Sequence, residues 1–341
     1  MPNHSPDPRE ARWDAPHNPR PLRVVGETGL LEALVGSAFA GGALEVGPGD
    51  DAAVWRVGPR SVAVTTDALV EGVDFIRATQ TPYEVGLKAW GAAASDLAAM
   101  GFGVDLGVAC LICRPDTEEA AVLAIQTGLV DGARRDGACL AGGDVSSIDG
   151  PLSVAVTAIG SGGPGSAVLL SGARPGDAVL VTGSLGEAGG ALHLLQEGEV
   201  PPEAWRRRLT VPEPRLAEGR ALRLAGTSAM TDLSDGLLLD AGRIARASGC
   251  QLELWADRLP LGAGLRERLP GIALQLAASG GEDFELLACL AESRLPALAT
   301  GWEGRGVTVI GVVREGSGVR LLEGRGGEEL HMGAWGGFRH F

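Results

Sequence analysis

Histidine is scarce in this chain: His4, His17, His193, His331 and His340 are the only five in 341 residues. They are scattered and mostly terminal, which argues against a histidine general base and against a zinc site. Aromatics make up 4% of the sequence, with a single tyrosine, so the core must be built from Ala, Val and Leu. Cysteine is odd in number, with Cys110, Cys113, Cys139, Cys250 and Cys289 all in apolar segments, where core thiols are expected. Cys110 and Cys113 have C-x-x-C spacing, but no second pair completes a metal site. Positive charge is also short. A net charge of −14 argues against nucleic acid or an anionic membrane as partner. No signal peptide and no long uncharged apolar run stands out, so a cytoplasmic, reducing location is expected.

What is plentiful is glycine, 53 residues, with 20 prolines and no low-complexity period, as tight strand-to-helix turns require. Residues 1–22 lack periodicity and read as a mobile tail. The stretch 26–39 is an expected amphipathic helix. Strands are expected at Ala43–Val46, Ala52–Val57, Ser61–Asp67, Val104–Cys113, Ala138–Ala141 and Leu152–Ile159, and helices at Tyr83–Met100 and Glu118–Arg135. The Gly/Pro/Ser cluster 160–166 marks the domain boundary, giving an N-terminal domain at 23–165 and a C-terminal one at 166–341. Strands and helices alternate in the second half. The expected fold is an α+β domain followed by an α/β domain.

The chemistry lies in acids that stand beside small residues where apolar runs end. Asp50 and Asp51 follow Gly49, Asp67 follows Thr65 and Thr66, Asp144 follows Gly142 and Gly143, Asp96 follows Ser95, and Asp232 and Asp235 flank Ser234. Each taken alone could be a turn or a cap. Together they could gather at one side of a sheet around shared cations, since hard carboxylate oxygens suit Mg²⁺. An acidic protein can hold an anionic substrate only with cations in between. Asp232 and Asp235 would share one face of a first helical turn if both were helical. Asp96, inside an apolar helix, needs a partner, either metal or Lys88. Gly183–Gly190 has the look of a phosphate cradle but lacks the Walker lysine, so a tight turn is the better reading. In Ser279-Gly-Gly-Glu-Asp-Phe284, Glu282 reads as ligand-facing. A site of acids, glycines and hydroxyls fits phosphoryl transfer.

With these residues placed, the chain resembles the thiamine-monophosphate kinase family of the aminoimidazole-ribonucleotide-synthetase-like superfamily. The carriers are GPGDDAAV (47–54), TTDALVEGVDF (65–75), SDLAAMG (95–101), GGD (142–144), SGARPGD (171–177), DLSDG (232–236), SGGEDFEL (279–286) and WGGFRHF (335–341). The resemblance implies ATP-dependent phosphorylation of thiamine monophosphate to thiamine diphosphate, with several Mg²⁺ ions and ATP as co-substrate. It implies a homodimer whose N-terminal sheets pair into a barrel. It implies Mg²⁺ ligands at Asp50, Thr65, Thr66, Asp67, Asp96, Asp144, Asp232 and Asp235, with Asp235 and Asp144 as the catalytic carboxylates. Nucleotide contacts fall to Gly143, Asp144 and Ser234, and substrate contacts to Asp74, Glu282 and Trp335. The chain departs from the family pattern at Asp74 (usually His), Leu170 (usually Arg) and Ala93 (usually Asn), and it lacks an adenine-side aromatic. These departures leave two alternatives: an enzyme of the same superfamily with another phosphorylated substrate, or a nucleotide-binding dimer with weakened catalysis.

Overall fold

The structure is a computed structural model that describes residues 44–299 and 306–331, together with Val24 and residues 29–30 and 32–35. Positions 29–30 and 32–35 are helical, inside the expected 26–39 helix. The tail at 1–22 and Trp335 lie outside the described residues.

The first half forms β1 (Leu44–Val46), β2 (Ala53–Val57), β3 (Arg60–Val70), α1 (Pro82–Ala99), β4 (Leu106–Cys113), α2 (Glu119–Arg135), β5 (Cys139–Ser147) and β6 (Ser153–Gly162). The sheet order is β1-β2-β3-β6-β4-β5. Every pairing is antiparallel except β4 with β5. On β3, Ala63, Thr65 and Leu69 are buried while Thr66 and Ala68 are exposed. That is the alternation of a sheet with one covered face. The covering helix is α1. Its start is fixed by a capping box, in which Thr81 caps Glu84 and Glu84 answers back, with Pro82 in the first turn. α1 is apolar nearly all round and buried accordingly. Trp90, Ala93, Ala94 and Leu97 join the core of the first sheet, and Ala98 and Ala99 pack with Leu180, Met230 and Leu286 of the second half. α1 and α2 cross in backbone contact. A Cβ on Gly86 would stand 2.1 Å from the Ile125 carbonyl oxygen, and one on Gly128 would stand 2.1 Å from that of Tyr83.

The second half forms β7 (Asp177–Thr182), α3 (Glu187–Gln196), α4 (Glu203–Thr210), α5 (Leu216–Ala225), β8 (Ala229–Asp232), α6 (Leu237–Ser248), β9 (Gln251–Trp255), α7 (Leu265–Arg268), α8 (Ala273–Ser279), β10 (Leu286–Ala291), α9 (Leu295–Ala299), β11 (Val307–Arg314) and β12 (Gly318–Leu322). Its sheet runs β12-β9-β11-β7-β10-β8, with β12 and β9 parallel and the rest antiparallel. The described halves thus form two mixed sheets with helices packed on them.

Three local expectations need correction. β3 continues three residues past Asp67, and β5 runs on through Gly142-Gly143-Asp144 to Ser147, so both acids sit inside strands rather than at their ends. Asp232 closes β8 and α6 starts only at Leu237, so Asp232 and Asp235 share no helical face. Cys250 and Cys289 are core thiols as expected, but Cys139 is exposed on the edge strand β5.

Candidate active site

The side chains of α1 reach both halves. Ser95 Oγ donates to Asp232 Oδ2 at 2.5 Å, and Thr65 Oγ1 on β3 donates to Asp96 Oδ2 at 2.5 Å. The turn after β1 adds two more acids. Asp50 Oδ1 accepts from the Asp51 N–H, and its Oδ2 accepts from the Leu170 N–H at 3.1 Å. Asp51 Oδ1 accepts from Arg243 Nη2 at 2.7 Å and from Thr231 Oγ1 at 3.3 Å. Asp240, on α6, accepts the N–H groups of Asp235 and Gly236 on its Oδ2. This last acid and Arg243 were not singled out from the sequence, where an i,i+3 Asp–Arg pair reads as an ordinary exposed helix pair.

The charges repel. Burial pushes Asp51 up to about 7, opposed by Arg243 and reinforced by Asp232 and Asp50. Burial, followed by the charges of Asp232 and Asp51, raises Asp96 well above the usual carboxylate range. Burial also raises Asp232, against the Ser95 hydrogen bond, and raises Asp240 well above its ordinary value, with Asp235 adding to the effect. Acids so placed ionise together only when positive charge is supplied. As the side chains stand, no three His, Cys, Asp or Glu among the described residues converge closely enough to hold a metal ion. Two buried oxygens, Asp51 Oδ2 and Asp240 Oδ1, nevertheless accept no hydrogen bond. Hard donors left unsatisfied in this way fit a divalent cation.

The expected ligands divide between the two faces of the first sheet. Asp67 is in register with Val156, Ala109 and Gly143 across the strands, and Asp144 is one residue further on, opposite Cys110. Side chains alternate, so Thr65 and Asp67 belong to the α1 face while Thr66 and Asp144 belong to the other. Thr66 accepts from Thr157 Oγ1 at 3.1 Å, and Asp144 accepts from Ser146 Oγ at 3.2 Å. At the edge of the sheet, residues 142–144 of β5 and Leu123, Gln126 and Leu129 of α2 line a cavity of about 450 Å³. That volume suits a purine-sized ligand.

Glu282 lies on a strained loop, with φ of 67° at Glu282 and 47° at Phe284. The Glu282 N–H donates to the Ser234 carbonyl and the Phe284 N–H to that of Leu233, so the loop is tied to the turn that carries Ser234 and Asp235. Its carboxylate accepts from Lys88 Nζ at 2.6 and 2.7 Å, and Nζ also donates to the Asp74 carbonyl at 2.6 Å. Lys88 is 1% exposed. It therefore pairs with Glu282, not with Asp96. Asp74 uses its own carboxylate on the Val70 N–H, closing the turn after β3. Beneath the loop, buried Glu285 accepts a bidentate pair from Arg215 and a further bond from Arg208. Both oxygens of Asp283 accept the Gly186 N–H, while burial pushes its pKa up to about 8. The departures at Leu170 and Ala93 are core positions, 3% and 0% exposed.

A carboxylate cluster bridging two mixed sheets defines the class. Residues 49–161 match the AIR synthase related protein N-terminal domain and residues 174–323 match its C-terminal domain, and the chain belongs to that family. Within it, the chain is 36% identical over 310 residues to the thiamine-monophosphate kinase of Mycobacterium tuberculosis (strain CDC 1551 / Oshkosh), covering 89% of each chain. It is 35% identical over 308 residues to the Escherichia coli (strain K12) thiamine-monophosphate kinase, covering 87% of this chain and 92% of that one. The solved structure of AaThiL complexed with AMPPCP and TMP superposes with a TM-score of 0.83 at 28% identity, covering 94% of this chain and 99% of that one.

Proposed function

We propose that this protein is a thiamine-phosphate kinase that transfers the γ-phosphoryl group of ATP to the phosphate of thiamine monophosphate, giving thiamine diphosphate. The observation that carries the reading is the Ser95–Asp232 hydrogen bond next to the Thr65–Asp96 one, which brings acids of both halves to one place. The relatives named above bear the same activity in their names.

Phosphoryl transfer asks a protein mainly for position and charge. In-line transfer needs donor and acceptor phosphates held end to end. Asp50, Asp96, Asp232 and Asp235 would hold Mg²⁺ on the inner side, with Asp67 and the open oxygens of Asp51 and Asp240 beside them, while Thr66 would serve from the outer face of the sheet and Asp144 from its edge strand. Bound Mg²⁺ offsets the negative charge of the two phosphates. Gly143 and Asp144 line the nucleotide cavity against α2, and Ser234 and Asp235 stand at the turn before α6. Lys88 fixes Glu282 toward the thiamine end, and Trp335, which lies outside the described residues, would be a further substrate contact. Asp235 and Asp144 are the proposed catalytic carboxylates, one on each side of the transferred group.

Finer points follow the same reading. The division is 23–165 and 166–341, after a tail at 1–22. The open face of the first sheet, with Val108 and Thr66 exposed, pairs with a second copy as a homodimer. No described helix is long and apolar enough to cross a membrane, and we place the protein in the cytoplasm. Purified protein with ATP and Mg²⁺ should form thiamine diphosphate from thiamine monophosphate, and no product would sink the proposal. A second reading, another phosphorylated substrate, is favoured by the engagement of Asp74 with Val70. A thermal-shift screen of phosphorylated metabolites decides it, and strongest stabilisation by thiamine monophosphate removes it.

A further inference from the structure

Arg243 reaches into the carboxylate cluster from α6. Its Nη2 lies 2.7 Å from Asp51 Oδ1 and its Nη1 lies 3.8 Å from Asp240 Oδ1. Among the described residues it is the one cation within ion-pair distance of Asp51, Asp96, Asp232 or Asp240, since Lys88 is held by Glu282 and Arg208 and Arg215 are held by Glu285. Both acids it touches are buried, and each keeps one oxygen with no hydrogen bond, Asp51 Oδ2 and Asp240 Oδ1. Two unsatisfied oxygens beside a guanidinium mark a charge arrangement that is only partly closed. The Arg243 side chain is 35% exposed, whereas those of Asp51 and Asp240 are 1% and 0%. The cation can therefore withdraw to solvent while the acids stay in place.

We propose that Arg243 is a resident counter-cation of this cluster: it neutralises Asp51 and Asp240 when no divalent cation is bound and competes with that cation for the same carboxylates. The inference rests on reading the cluster as a divalent-cation site. A guanidinium near a doubly charged ion repels it, and the guanidinium ties up Asp51 Oδ1 directly. Removing the positive charge should tighten cation binding and make the fold depend on the cation. The side chain must let go of Asp51 as metal enters, so cation loading and Arg243 release are linked reciprocally.

The test is calorimetric titration of Mg²⁺, without nucleotide, into the full chain as wild type, Arg243→Met and Arg243→Lys, alongside melting temperatures in chelator and in saturating Mg²⁺. Arg243→Met should bind Mg²⁺ at least about tenfold more tightly, the scale of one nearby unit charge at partly screened distance. It should melt below wild type in chelator, with the gap closing as Mg²⁺ is added. Arg243→Lys, which keeps the charge but not the fork, should fall between them and stays informative if the Met variant unfolds in chelator. Equal or weaker Mg²⁺ binding by both variants overturns the proposal. Weakened ATP binding with Mg²⁺ affinity unchanged also overturns it, because Arg243 would then be a phosphate contact. Wild type that binds neither Mg²⁺ nor Mn²⁺ would instead overturn the cation-site reading itself.

Discussion

The inner cluster around Asp96 and the edge strand around Asp144 are built from the same residue types and behave oppositely. Inside, Asp51 and Asp232 are buried, and Asp96 is tied to Thr65, so each carboxylate is held by a hydroxyl, a guanidinium or a backbone N–H from another element. At the edge, Asp144 is exposed and accepts a hydrogen bond from Ser146, two residues away on the same strand. The inner acids are positioned by tertiary structure before any ligand arrives. The edge site offers a wall and a cavity, with open space on its far side. Preorganised electrostatics belongs to the first region, and ligand-dependent completion to the second.

Breaking the inner region should have the largest effect. Asp96→Asn should lower kcat by about 10³-fold, as loss of a central electrostatic group does. It should leave the metal-free fold as stable as wild type or more so, because one of several repelling charges is gone. Steady-state kinetics and chemical denaturation check both halves, and a stable variant with near-normal kcat would dissolve the contrast. Next comes Lys88→Met. Glu282 would lose its cation on a strained loop, at a cost of about 2–3 kcal/mol for a pair whose acid is partly exposed. KM for thiamine monophosphate should rise more than KM for ATP.

The pH response sharpens the same comparison. Burial holds Asp51 at about 7 in the folded chain, well above the ordinary carboxylate range. Its protonated form is therefore favoured by folding, and that contribution is full below about pH 4 and is lost as pH rises through 7. In metal-free protein, Asp51→Asn should gain stability relative to wild type from pH 4 to 7, by at most about 1.4 kcal/mol per pH unit. A flat difference across that range would place Asp51 outside the coupled cluster. The smallest effect on the fold belongs to Asp144→Asn. Its stability should stay within about 0.5 kcal/mol of wild type, as for other exposed positions. ATP affinity should still fall about tenfold, as expected when a charged contact is lost. Loss of stability without loss of affinity would reverse the assignment.

Much of the fold was readable in the chain. Alternation marked β3, the stretch Tyr83–Met100 marked α1 to within a residue or two, and the acid motifs pointed to the inner region. What escaped had no local signal. β5 continues through Gly-Gly-Asp-Val-Ser-Ser, which lacks both alternation and bulk, because its pairing with β4 holds it in place. The eight residues of α4 present only Trp205, Leu209 and Thr210 to the interior, too few for a helical stripe. Lys88 and Glu282 are 194 positions apart, and only the packing of α1 between the two sheets brings them together. Arg243 and Asp240 drew no notice, and nothing in their spacing shows that α6 buries one of them completely.

The central claim is that the inner aspartates form the cation centre of a phosphoryl-transfer site. Its most direct test is an electron paramagnetic resonance titration of Mn²⁺ with a non-hydrolysable ATP analogue, comparing wild type with the Asp96→Asn, Asp232→Asn double variant. Wild type should retain bound Mn²⁺ at concentrations where the double variant leaves it free in solution. Equal Mn²⁺ retention by the two proteins would contradict the claim.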